Sequence, residues 1–139
     1  MIIPSPPIPT SWQYRRLKSV LSSLESGRRP TEDEENPCLS GALSIGGEHI
    51  TKQGSISLVN PRYVPLNFYR SLSSGKIFAG DTLLVKDGAT IGKCAYLSTL
   101  PSPFAAVNEH VFIIRSINSS LENEFLYYSL LSEYGQKQI

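Results

Sequence analysis

The sequence predicts an α+β domain: a small mixed or antiparallel β-sheet set between an N-terminal helix and a C-terminal helix. Three observations predict it. Apolar residues recur at helical spacing near both ends of the chain. Between them lie short runs rich in Val, Ile, Leu and Thr, bounded by Gly, Pro or Asp-Gly. The chain has 139 residues, 40% hydrophobic and 18% charged, which suits one domain with its own core rather than a disordered chain.

The elements follow in order. Thr10 or Ser11 is a candidate cap, after which Leu17, Val20, Leu21 and Leu24 recur at i, i+3, i+4 and i+7. Gly27 ends that helix, and residues 28–37 read as an exposed loop. Strands are expected at 43–45 and 56–59, punctuated by Gly46-Gly47 and Gly54, and a short helix at 66–72 after Pro65. Residues 82–86 and 90–97 form two strand-like runs around the turn dipeptide Asp87-Gly88. A third run, 107–115, follows the Pro101-Ser102-Pro103 break. Ser119-Ser120-Leu121-Glu122 resembles a capping box and opens one amphipathic helix carrying Phe125, Tyr128 and Leu131 with Leu126, Leu130 and Tyr134.

Several function classes are excluded early. No apolar run approaches the roughly 20 residues of a membrane helix. The Pro-rich N-terminus has no basic region of the secretory kind, so a soluble, cytoplasmic protein is expected. Cys38 and Cys94 match no metal-ligand spacing and make no disulfide framework, so neither metal nor cofactor is expected. The net charge of +1 hides a polarity. Glu32-Asp33-Glu34-Glu35 is acidic, whereas between Ser40 and Ser119 seven bases stand against four acids, a net +3. Such an excess is compatible with a nucleic-acid surface and does not establish one.

Catalytic motifs nearly form and fail. In Gly88-Ala89-Thr90-Ile91-Gly92-Lys93-Cys94 three residues separate the glycines where a phosphate loop needs four, and Cys94 replaces the Ser or Thr. Asn60-Pro61-Arg62-Tyr63 is similar to the Asn-Pro-Pro-Tyr/Phe motif of adenine methyltransferases, but Arg62 replaces the second proline and no glycine-rich cofactor turn precedes it. Asp81 and Glu109 are a conceivable magnesium pair, yet position 111 is Val where a nuclease Lys is needed. Cys94 with His110 lacks a third member. No catalytic residue is assigned.

Residues 77–93, Ile-Phe-Ala-Gly-Asp-Thr-Leu-Leu-Val-Lys-Asp-Gly-Ala-Thr-Ile-Gly-Lys, carry a resemblance. The block resembles the "gDiL…k.GatiGk" signature of target recognition domains in type I restriction–modification specificity subunits. Trp12…Leu17 resembles the family's opening Trp-x-x-x-x-Leu, Ala105 through Val111 its "…Asn-Gln…" strand (with Glu109 where Gln is frequent), and Asn123 through Leu131 its "…yl.y.l…" segment. Full subunits carry two such domains and two long helices; this chain has one domain and the start of one helix. The resemblance implies a curved, barrel-like sheet with the C-terminal helix leading to a spacer coil. It divides the chain into a tail (1–11), a DNA target recognition domain (12–120) and the start of a spacer and partner-binding helix (121–139).

The resemblance further implies sequence reading of double-stranded DNA without catalysis. Methyltransferase subunits, and a restriction subunit through the complex, are the implied partners, with a homodimer as a further possibility for a half-subunit. Lys52, Gln53, Ser55, Arg62, Tyr63, Lys86, Lys93, Asn108 and His110 are the candidate DNA contacts, Asn108 and His110 being placed on one strand face with Phe112. Arg28-Arg29 is a further basic pair in a loop. Gly80, Asp81, Gly88 and Gly92 are assigned to turns. Phe125, Tyr128, Leu131 and Tyr134 are the candidate partner-binding residues, because aromatic side chains cover more of that helix than one core stripe requires. The alternatives are a protein-interaction module and a small metal-dependent nuclease.

Overall fold

The computed structural model describes residues 4–31, 41–117 and 122–139. The acidic run at 32–35, Cys38 and positions 119–121 of the expected capping box lie outside them.

The described residues form seven strands and three α-helices, in the order β1 (Leu21–Ser26), β2 (Ala42–Ile45), β3 (Arg62–Val64), α1 (Leu66–Ser71), β4 (Thr82–Val85), β5 (Cys94–Tyr96), β6 (Ala105–Val107), β7 (Val111–Ser116), α2 (Asn123–Leu131) and α3 (Glu133–Gln138). The expected sheet is two sheets. One is antiparallel, in the order β1-β7-β4-β5; the other is mixed, in the order β3-β2-β6, with β2 and β6 parallel. The ladders close no barrel among the described residues.

Period-two alternation builds four layers. Leu43 and Ile45 of β2, Leu83 and Val85 of β4, Ala105 and Val107 of β6, and Val111 and Ile113 of β7 share the inner core between the two sheets. The intervening residues face outward. Ala42, Val64 and Ala106 pack against Phe68, Tyr69 and Leu72 in and after α1. Cys94 and Ile114, with Leu84 and Phe112, pack against Leu126, Tyr127 and Leu130 of α2. Because both faces of each sheet are covered, strands such as Val111-Phe112-Ile113-Ile114 read as unbroken apolar runs.

The N-terminal helix is overturned. Leu17–Val20 is a single 3₁₀ turn, and the chain then enters β1, paired with β7 from Leu21↔Ser116 to Ser26↔Phe112. Ser22, Ser23 and Ser26 are weak helix formers, and pairing along the free edge of β7 outweighs the local periodicity. The strand expected at 56–59 is a loop held by one bridge, Ile50↔Ile56. Residues 108–110 turn between β6 and β7, so Asn108 and His110 do not share a strand face with Phe112. The single C-terminal helix is two, broken at Ser132, whose extended ψ of 157° ends α2 and whose hydroxyl accepts the Gly135 N–H at 3.0 Å to cap α3.

Candidate nucleic-acid interface

Strand direction gathers the polar loops at one end. The C-terminal ends of β1, β2, β4 and β6 lie beside the N-terminal ends of β3, β5 and β7, as the pairs Ser26↔Phe112, Ser44↔Arg62, Leu84↔Cys94, Val85↔Val111 and Ile45↔Val107 require. That end therefore carries residues 27–31, 46–61, 86–93 and 108–110. Eight of the nine candidate DNA contacts fall in these loops or at the strand ends entering them, together with Arg28 and Arg29, and Tyr63 lies one residue inside β3.

The 46–61 loop is clamped. Lys93 Nζ donates to the Gly47 carbonyl at 2.7 Å and to the Ile50 carbonyl at 2.5 Å. Two of its three protons are thus committed inside the fold, and burial, then Lys52, holds its pKa below the usual lysine value. The buried His49 ties the two arms of the loop together. Its Nδ1 accepts the Gly46 N–H at 2.9 Å, so Nε2 carries the proton and donates to the Asn60 carbonyl at 3.0 Å. Thr51 Oγ1 and Ser55 Oγ lie 2.9 Å apart and close the turn that exposes Lys52 and Gln53. Gly54, at φ +86°, lets that turn approach the Tyr127 hydroxyl, which a Cβ would meet at 1.9 Å.

Around this loop the charges pair across short distances. Arg62 Nε lies 2.9 Å from Glu48 Oε1, and Arg29 Nε 2.6 Å from Glu109 Oε1. His110 Nδ1 meets the Asp87 carboxylate, while its Nε2 lies 3.3 Å from both Glu109 Oε1 and Arg29 Nη2. Asn108 Oδ1 accepts the His110 N–H at 2.9 Å and so shapes the β6–β7 turn. Lys86 Nζ stands 4.9 Å from the centre of the Phe112 ring. Tyr63 is half-buried against the inner core. Gly88 and Gly92, at φ +88° and +94°, turn the β4–β5 connection, and Gln136 of α3 donates to the Gly92 carbonyl at 2.9 Å.

At the far end, Gly80 turns at φ +92° into Asp81, whose carboxylate is buried against Arg115 at 2.7 Å. Hydrogen bonding to Asp81 raises the Arg115 pKa further. The length of β7 separates this pair from Glu109, so Asp81 and Glu109 form no shared metal site. Cys94 is buried under α2, with its thiol pushed up to about 11 by burial. Among the described residues no group of three His, Cys, Asp or Glu is placed to hold a metal ion, and no helix is long and apolar enough to cross a membrane.

The candidate partner-binding residues divide. Phe125 and Tyr128 are exposed, whereas Leu131 turns toward the core beneath α2. Trp12 packs edge-on against Phe125 with ring centres 5.6 Å apart, and Ser5 Oγ lies 3.4 Å from the Tyr134 hydroxyl. The N-terminal segment thus runs antiparallel along α2 and α3. Glu48, His49, Asp87 and Val59 were not among the expected site residues. Gly46-Gly47 marked the loop that contains the first two, but the strand expected at 56–59 concealed Val59.

The type I restriction modification DNA specificity domain matches residues 9–139. The chain belongs to this family. The HsdS subunit from Thermoanaerobacter tengcongensis shares its fold with a TM-score of 0.66 at 18% identity, over 97% of this chain and 30% of that one. A chain from a study of complex assembly and conformational transition in the type I R-M system gives a TM-score of 0.65 at 18% identity, with the same 97% and 30% coverage. The specificity domain here thus spans about a third of the length of these structural relatives. No curated protein sequence matches.

Proposed function

We propose that this specificity domain reads duplex DNA through its loop end and, without chemistry of its own, brings methyltransferase and restriction subunits to a split site in the cytoplasm. The observation that carries the reading is the convergence of four loops at one end of two sheets. Arg28, Arg29, Lys52, Arg62, Lys86 and Lys93 are gathered there against Glu48, Asp87 and Glu109. Lys and Arg supply phosphate contacts, and Asn, Gln and His reach base edges. The exposed Phe125 and Tyr128 lie on α2 and leave a face for a methyltransferase subunit.

The test is duplex binding by the chain assembled with its methyltransferase subunits, measured across a salt series. Each phosphate neutralised adds about −0.9 to the slope of log affinity against log salt, and a slope of several units is expected. Binding that ignores salt, or no binding by the assembled complex, overturns the reading.

A further inference from the structure

Among the described residues, the clamped 46–61 loop also carries the most exposed large apolar side chain. Val59 is 82% exposed, and Leu58 beside it is 40% exposed. Neither covers a core. The backbone around them is held nonetheless: Ser57 N–H donates to the His49 carbonyl at 2.8 Å, and the Asn60 carbonyl accepts from His49 Nε2 at 3.0 Å. An isopropyl group is thus presented to solvent on a loop tip fixed on both sides. Beside it opens a cleft of about 280 Å³ lined by Glu48, His49, Ser57, Val59, Asn60 and Arg62.

The side chains offered there match one base pair. The His49 clamp uses the backbone carbonyl of Asn60, which leaves its exposed side-chain amide outside the clamp. An amide that donates and accepts side by side suits adenine N6 and N7 in the major groove, and an apolar group suits the thymine C5 methyl of the same pair. We propose that Val59 and Asn60 read an A·T pair, Asn60 on the adenine edge and Val59 on the thymine methyl, with Arg62 and Glu48 flanking the neighbouring step. His49 is a positioning residue in this scheme: it sets where Asn60 stands and touches no base. The Asn60-Pro61-Arg62-Tyr63 segment thereby has a role as a reading loop that needs no methyl-transfer chemistry.

This proposal rests on the DNA-reading function above, and its test separates the two. Duplexes are selected from a random-sequence library by the chain assembled with its methyltransferase subunits. The enriched motif is expected to contain an A·T pair at one position that Val59→Ser and Asn60→Ala each relax, while the remaining positions keep their preference. Replacing that thymine by deoxyuridine, which deletes only the methyl, is expected to weaken binding by roughly 5-fold, the low end for one base contact, and to have no effect on Val59→Ser. If the motif and the deoxyuridine response are the same in wild type and both variants, the proposal is overturned and DNA reading stands. If no sequence is enriched by the wild-type complex, both fall.

Discussion

Arg115 of β7 and Asp81, the residue just before the neighbouring β4, meet in a two-point pair, Nε to Oδ1 at 2.7 Å and Nη2 to Oδ2 at 2.9 Å. The same guanidinium reaches Glu25 of β1 and the Lys76 carbonyl at 3.0 Å. Arg115 therefore joins β1, β7 and the segment before β4, at the end of the fold opposite the 46–61 loop. Removing it leaves a buried carboxylate without its cation. Arg115→Ala is expected to lower unfolding free energy by about 3 kcal/mol, read by urea denaturation, with Arg115→Lys recovering part of the loss. A change within 0.5 kcal/mol, the size of an ordinary surface substitution, would contradict this.

Cys94 links stability to alkaline pH. Its folded pKa stands at about 11 against 9.0 for an unperturbed thiol, because burial disfavours the thiolate. With the folded value raised, the neutral thiol costs nothing below pH 9; the unfolded thiol ionises first, and stability falls between pH 9 and 11. The loss amounts to roughly 2–3 kcal/mol. Cys94→Ala should flatten the difference in denaturation midpoint across that window, and an unchanged profile would reject the assignment.

Lys93 separates a clamp from a phosphate contact. Lys93→Met leaves the Gly47 and Ile50 carbonyls without their donor, so stability should fall by about 1–2 kcal/mol. Amide exchange in residues 46–51 should quicken. Lys52→Met, on the exposed turn, should leave stability unchanged and make the salt slope of DNA binding shallower by about one unit.

Glu48 restrains Arg62 through an exposed pair at 2.9 Å. Glu48→Gln frees the guanidinium and removes a negative charge from the loop end. Affinity for unrelated duplexes at low salt should rise by roughly 5-fold, with the gain lost at high salt as screening sets in. Weaker binding would show that Glu48 contributes to the contact rather than opposing it.

Gly54 tests how the 51–55 turn rests on α2. A Cβ there would stand 1.9 Å from the Tyr127 hydroxyl, on a backbone at φ +86°. Gly54→Ala should cost at least about 1 kcal/mol, measured by thermal unfolding. Adding Tyr127→Phe should recover the steric part and leave the backbone part.

Turn chemistry and β-runs were legible because they are local. Asp87-Gly88 between two apolar runs announces a turn at positive φ, and Pro65 announces the start of α1. Leu17, Val20, Leu21 and Leu24 mislead because their spacing tells only which residues could be buried together. Whether Leu21 sits in a helix or a strand depends on Ser116, 95 positions away, which pairs with it. Lys93 was legible as the base that ends the signature block, but its inward course depends on the Gly47 and Ile50 carbonyls and could not be read from neighbours in sequence.

The sequence by itself determined the fold class, the turns and the family, since hydrophobic alternation, glycine position and signature spacing are properties of short segments. Only the tertiary structure decided that the apolar runs divide between two sheets and three core layers, that the N-terminal segment becomes an edge strand, and that four distant loops share one end. The physical reason is strand register. Hydrogen-bonded pairing joins residues 10 positions apart (Leu84↔Cys94) to 95 apart (Leu21↔Ser116), and its direction, set by the whole chain, determines which loops meet.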